Sequence, residues 1–268
     1  MTTPTTMIHL KSPDEIAIMR EAGRIVARAL AAMRDAVKPG VTTLHLNQIA
    51  ETVLRDHGAT PTFLHYPKPN SPPFPAVITA SINHELVHGI PSGSRFLKDG
   101  DIITVDVGCN YQGFVGDAAI TVPVGEISKP VQRLLDATQA ALDAAIQASR
   151  VGNDVRDVAL AIQKCAESYG YSVAREYTGH GVGRQMHEPP EIPNWWPSNT
   201  RRSRIQFENV PLQPGMTYAI EPMLIIGRNA LRELADHWTV VTVDGSWCAQ
   251  YEHTVAVTEG DPLILTLP

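Results

Sequence analysis

Residues 100–124, GDIITVDVGCNYQGFVGDAAITVPV, decide the fold. Two β-type runs, 101–109 and 114–124, flank Asn110-Tyr111-Gln112-Gly113, a turn-forming tetrapeptide. A hairpin closed on those four residues sets Asp106 opposite Asp117. Side chains directly opposed on adjacent strands have Cβ atoms about 4.5–5.5 Å apart, and like charges there repel. A divalent cation between the carboxylates removes the repulsion. The alternative is that both aspartates sit at strand ends on a solvated face.

The chain has 268 residues, 43% hydrophobic and 19% charged, which fits one large globular domain or two small ones. A formal net charge of −6 and one small basic cluster, Arg201, Arg202 and Arg204, argue against a nucleic-acid partner. No apolar run is long enough to cross a membrane, and the first residues lack a signal-peptide pattern. Cys109, Cys165 and Cys248 are widely spaced and odd in number, giving neither a disulfide framework nor a CxxC zinc site. A reducing, cytoplasmic setting is expected.

Residues 1–11 read as a flexible tail. Ser12-Pro13-Asp14-Glu15 has the form of a capping box, opening a helix that Lys38-Pro39-Gly40 stops. A second helix is expected over 43–57, then a proline-rich loop over 59–74 and a strand over 76–82. Helices over 129–150 and 154–169 repeat the plan, and Gly40 and Gly58 are spaced like Gly152 and Gly170. The expectation is an α+β fold: one catalytic domain over 12–268, built of two similar halves, about 12–125 and 126–260. Their strands form one curved sheet with helices outside. Residues 191–214 read as a surface excursion, 216–226 as one strand carrying Glu221, and 238–243 with 249–257 as a last hairpin carrying Glu252.

A carboxylate in an apolar strand is costly to bury unless paired or metal-bound. That oddity occurs four times, at Asp106, Asp117, Glu221 and Glu252, and His180 stands among the glycines of Tyr177-Thr178-Gly179-His180-Gly181-Val182-Gly183. Four carboxylates and an imidazole suit a pair of Mn²⁺-, Fe²⁺- or Co²⁺-like ions better than a structural zinc. No HExxH, GxGxxG or GxSxG pattern offers another chemistry.

The ordered set HGIP (88–91), DVGCNYQGFVGD (106–117), GHGVGRQMHE (179–188), IEPM (220–223) and QYEHT (250–254) resembles the methionine aminopeptidases of the pita-bread metallopeptidase family, from Ser12 to the end. The short span between Glu221 and Glu252 resembles the type 1 enzymes. The resemblance implies a pita-bread fold: a curved antiparallel sheet with two pseudo-symmetric halves and outer helices. It implies two divalent metal ions (Co, Mn, Fe or similar), with Asp106 on one, His180 and Glu221 on the other, and Asp117 and Glu252 bridging. His88 and His187 would hydrogen-bond the substrate. A metal-activated water would attack the first peptide bond with Glu221 as proton shuttle, removing the initiator methionine from nascent polypeptides at the ribosome and preferring a small second residue. Trp238, Met186, Phe63 and Tyr66 would line the methionine pocket, with Met186 where many relatives carry an aromatic residue. The implied enzyme is a cytoplasmic monomer without a membrane or nucleic-acid partner. Two rivals are an Xaa-Pro peptidase of the same fold and a binding protein that has lost catalysis.

Overall fold

The structure, a computed structural model, describes residues 7–198 and 206–268. Residues 1–6 of the expected tail and the Arg201, Arg202 and Arg204 cluster lie outside the described residues. Lys11, at the end of that expected tail, is held in place. Its N–H donates to Gly215 O at 2.7 Å, and its buried ammonium lies 2.6 Å from Glu188 Oε2.

Helix α1 (Pro13–Ala36) starts on the reciprocal cap of Ser12 and Glu15, the Ser12 N–H donating to Glu15 Oε2 and the Glu15 N–H to Ser12 Oγ. Helix α2 (Thr43–Asp56) is capped by Thr42, whose hydroxyl accepts from the His45 N–H. In the second half, α3 (Lys129–Ala148) and α4 (Val155–Tyr169) form the matching pair, with Asp154 and Asp157 making the second capping box. Gly40, Gly58, Gly152 and Gly170 all have positive φ, which glycine adopts at little steric cost, so one signal ends corresponding elements in both halves. Each helix pair covers its own core, Leu30, Met33 and Leu54 in the first and Leu134, Leu142 and Ile162 in the second. No helix among the described residues is long and apolar enough to cross a membrane.

The decisive hairpin joins Ile102–Tyr111 to Phe114–Pro123. Its loop is two residues, not four. Gln112 and Gly113 both have positive φ, 51° and 84°, as a type I′ turn requires, so pairing continues to Tyr111↔Phe114. The register therefore differs from expectation: Asp106 faces Ala119, and Asp117 faces Gly108. The two aspartates stay on one face but stand diagonally, somewhat under about 7–8 Å between Cβ atoms. That leaves more room for a cation than direct opposition.

Among the described residues the strands form four antiparallel groups, and the curved sheet is assembled piecewise from them. Where the halves meet, two threonines act as reciprocal clasps. Thr121 Oγ1 donates to Gln250 O (2.7 Å) and accepts from the Gln250 N–H (3.0 Å). Thr254 Oγ1 donates to Asp117 O (2.8 Å) and accepts from the Asp117 N–H (3.2 Å). Between them the Glu252 N–H donates to Ala119 O at 2.8 Å.

Three other expectations need correction. The run 216–226 is two strands, Thr217–Ile220 and Met223–Ile225, in different groups. Glu221-Pro222 separates them, and proline cannot donate to a ladder. The last hairpin does not form. Val240–Thr242 pairs with Leu231–Glu233 and Glu85–Val87, Cys248–Gln250 with Met223–Ile225, and His253–Ala256 with Thr217–Ile220. The Glu252 N–H bonds across the halves, so the run breaks there. Finally, residues 191–198 are not a surface excursion. Glu188–Pro193 pairs with Thr178–Gly181, and Ile192, Asn194 and Trp195 are buried; the expected excursion's residues 199–205 lie outside the described residues.

Candidate metal centre

All eleven residues singled out from the sequence line one cavity of about 150 Å³ at the junction of the halves. The hairpin brings Asp106 and Asp117, and the second half brings His180, Glu221 and Glu252. Gly108 makes room for the Asp117 carboxylate. A Cβ on Gly108 would lie 2.3 Å from Thr62 Oγ1 and 3.1 Å from Asp117 Oδ1. His180 immediately precedes a register shift in its strand pair, and Glu221 and Glu252 occupy the two strand breaks.

Ligand atoms of Asp117, His180 and Glu252 all lie within 4.8 Å of one another. His180 Nε2 is 3.7 Å from Asp117 Oδ2 and 3.8 Å from Glu221 Oε1. Its Nδ1 lies 3.0 Å from Gly181 O. A carbonyl only accepts, so Nδ1 carries the hydrogen and Nε2 turns a lone pair toward two carboxylates. Burial, helped by neighbouring His187, holds His180 neutral, its pKa lowered to about 3.

Left to themselves these groups repel. Burial and then the neighbouring carboxylates push the pKa values of Asp106, Glu221 and Glu252 well above the ordinary range, and burial raises Asp117 to about 7. Asp106 Oδ1, Asp117 Oδ1 and Glu252 Oε1 are buried without a hydrogen-bond partner. Orphaned carboxylate oxygens around an imidazole lone pair are the donor set of a divalent cation, and the residues fit one.

The other end of the cavity is apolar. Phe63, Phe74, Met186 and Trp238 are buried together, with Tyr66 packed against them. The Trp238 indole N–H donates to Pro72 O at 2.9 Å, and Phe74 meets the Trp238 ring edge-on at 5.1 Å. His88 stands beside Trp238 with φ 61°, a left-handed conformation costly for a non-glycine residue. Burial lowers its pKa to about 4. His187 is at the mouth, its ring 4.2 Å from that of His180.

Four lining residues were missed by sequence reasoning: Phe74, Thr79, Val87 and Gln250. Thr79 pairs with Asp106 across the strands, and the Gln250 amide donates to Glu221 Oε2 at 3.0 Å. Gln250, within QYEHT, and Val87, before His88, carried the signal of proximity to motif residues, whereas Phe74 and Thr79 carried none.

The profile of metallopeptidase family M24 matches residues 17–259. The chain belongs to this family. Within M24, it is 47% identical over 260 residues to methionine aminopeptidase 1 of Bacillus subtilis, covering 97% of this chain and 99% of that one. The crystal structure of methionine aminopeptidase from Thermotoga maritima superposes with a TM-score of 0.90 at 40% identity, covering 98% and 100% of the two chains. Xaa-Pro dipeptidase from Bacillus anthracis is similar at TM-score 0.73 and 23% identity, but this chain spans 61% of its length; that likeness shows the M24 fold alone. The α+β pita-bread architecture expected from the sequence is the one these relatives share.

Proposed function

We propose that this chain is a metal-dependent methionyl aminopeptidase that removes the N-terminal methionine from nascent proteins and peptides. The observation that carries the reading is a single cavity with a buried carboxylate–imidazole cluster at one end and a Met- and aromatic-walled pocket at the other. Full-length similarity to the B. subtilis and T. maritima proteins supports it.

Asp106, Asp117, His180, Glu221 and Glu252 would hold two divalent cations of the Co, Mn or Fe kind, which when bound lower the pKa of water and polarise a carbonyl. Glu221 takes the proton of the attacking water and passes it to the departing amine. His88 and His187 hydrogen-bond the substrate amide and the oxygen on which negative charge develops. The methionine side chain enters between Phe63, Tyr66, Met186 and Trp238, where a flexible thioether packs well against soft and aromatic groups. The second substrate residue would lie against His88 at the rim, where Gly, Ala or Ser is the expected preference. The unit would act as a cytoplasmic monomer at the ribosome, residues 12–268 forming one catalytic domain of two repeats.

The test is hydrolysis of Met-X peptides, with X running from Gly to Phe, after chelation and reconstitution. Release of methionine only from metal-loaded protein, falling steeply as X grows, supports the reading. Full activity after chelation overturns the metal dependence, and equal kcat/KM across the series overturns the closed rim.

A further inference from the structure

His180 and His187 lie ring against ring, with centroids 4.2 Å apart and planes tilted by 54°. Their Nδ1 atoms meet different chemistry. That of His180 faces the Gly181 carbonyl, which leaves Nε2 as an acceptor. That of His187 lies 2.6 Å from the Tyr66 hydroxyl. A phenol delocalises its oxygen lone pair into the ring and donates better than it accepts, whereas a neutral imidazole nitrogen is a strong acceptor. Burial raises the Tyr66 pKa, which keeps the hydroxyl protonated. The hydrogen between the two residues therefore sits on the Tyr66 oxygen, and the ring hydrogen of His187 sits on Nε2.

We propose that Tyr66 is a positioning residue: by donating its hydroxyl to Nδ1 it holds His187 in the Nε2–H tautomer, so that this histidine donates where its neighbour accepts. The loop is built for the task. The Tyr66 N–H donates to Phe63 O at 2.9 Å, the Phe74 N–H to Tyr66 O at 3.0 Å, and the His65 N–H to Phe74 O at 2.8 Å. His65 is left-handed at φ 64°, so the chain reverses just before the tyrosine. The Tyr66 ring meets His187 edge-on at 5.4 Å, which fixes the imidazole plane as well as its hydrogen. Tyr66 thus does more than wall the pocket, and its hydroxyl and its ring have separable roles.

Tyr66→Phe separates them, since it keeps the ring and deletes the donor. The tautomers are read by long-range ¹H–¹⁵N correlation on the full chain carrying ¹⁵N-histidine and loaded with diamagnetic Zn²⁺. The His187 signals are identified by their loss in His187→Gln. Wild type should show His187 as Nε2–H and His180 as Nδ1–H. In Tyr66→Phe, His180 should be unchanged and His187 a mixture of tautomers, while kcat on a methionyl peptide falls about tenfold, the scale of one lost orienting hydrogen bond, with KM nearly constant. An Nδ1–H His187 in wild type overturns the proposal without any variant. So does an unchanged His187 spectrum or an unchanged kcat in Tyr66→Phe. The catalytic part rests on the methionyl aminopeptidase reading. If wild type releases no methionine, that reading fails, and the spectra still decide whether Tyr66 sets the tautomer.

Discussion

Asp106 and Asp117 stand in a ladder that runs unbroken from Ile102↔Pro123 to Tyr111↔Phe114, whereas the second half delivers its ligands from interruptions. His180 precedes a register shift, and Glu221 and Glu252 lie in gaps between strands of different groups. In the ladder, side-chain alternation fixes which face an acid takes, and the backbone groups of Asp117 and Ala119 that the ladder leaves free bind the second half. At a gap, the freed backbone finds a partner elsewhere, and the Glu252 N–H finds it on Ala119 of the other half. Regular structure aims the first pair of carboxylates. Broken structure lets the second pair reach across to them.

The strongest way to break this contrast is to delete one acid of each kind. Asp106→Asn and Glu221→Gln should each lower kcat/KM by at least about 10³-fold, roughly 4 kcal/mol of transition-state stabilisation. Metal content measured on the same preparations should fall as well. Near-wild-type turnover in either variant would show that only one half supplies working ligands.

Without metal, both kinds of acid should behave alike as a buried cluster of like charge. Burial and then mutual repulsion raise Asp106, Glu221 and Glu252, and burial raises Asp117 to about 7. The folded chain therefore holds more protons than the unfolded one between the ordinary carboxylate range and that raised range. Stability is present at the acid end and is lost as pH rises through it. Burial of His88, His180 and His187 lowers their pKa values and tilts stability the opposite way over the same interval, so the carboxylate part is read as a difference. Between about pH 4 and pH 7 the melting temperature of chelated wild type should fall relative to that of chelated Asp106→Asn, which has one acid fewer to ionise. A difference between the two that does not change with pH contradicts the repulsion.

Glycine substitutions sharpen the comparison. Gly108→Ala puts a Cβ 2.3 Å from Thr62 Oγ1 and 3.1 Å from Asp117 Oδ1, both side-chain atoms. It should cost about 10–100-fold in metal affinity, as a disturbed supporting contact does, with little loss of stability. Gly181→Ala puts one 2.2 Å from Pro189 O and 2.6 Å from Glu188 O, where backbone must move. It should destabilise the fold by about 1–3 kcal/mol, the range for overpacking. Titration with Mn²⁺ and thermal unfolding of both variants separate the outcomes, and equal stability loss in the two would erase the distinction.

The smallest effect is expected from Gln250→Leu, which removes the amide on Glu221 and leaves the carboxylate in place. About a tenfold fall in kcat, near 1.4 kcal/mol, is expected from losing one orienting hydrogen bond. No change would mean that Glu221 is held by its backbone alone.

The hairpin, the four helices and the identity of the acids were legible because each rests on a local rule: alternation, caps, or charge in an apolar run. Ser12 with Glu15 and Asp154 with Asp157 formed the reciprocal caps such sequences favour. The register was misplaced because Asn110 and Tyr111 look like turn residues, although only Gln112 and Gly113 carry the positive φ that closes the loop. At Glu221 and Glu252 the sequence pattern is that of continuous strands, since nothing local shows that Ala119 takes the Glu252 N–H. Phe74 and Thr79 reach the cavity through pairings distant in sequence, with Trp238 and Asp106 respectively.

The threonine clasps at the junction have a thermodynamic consequence. Thr121 and Thr254 bind backbone of the opposite half, and the carboxylates between them come from both halves, so neither half alone assembles the cluster. A cation that binds only the closed arrangement works by mass action. At about a hundredfold excess over its dissociation constant, it deepens the folded well by about 2.7 kcal/mol, all of it applied to keeping the halves shut. Amide exchange should register this as slowing at Asp117, Gln250 and Glu252, whose N–H groups cross the seam, while amides deep in α1 and α3 change less. The cofactor then serves as a rivet, and the supply of metal in the cell sets how long the molecule stays closed as well as how fast it turns over.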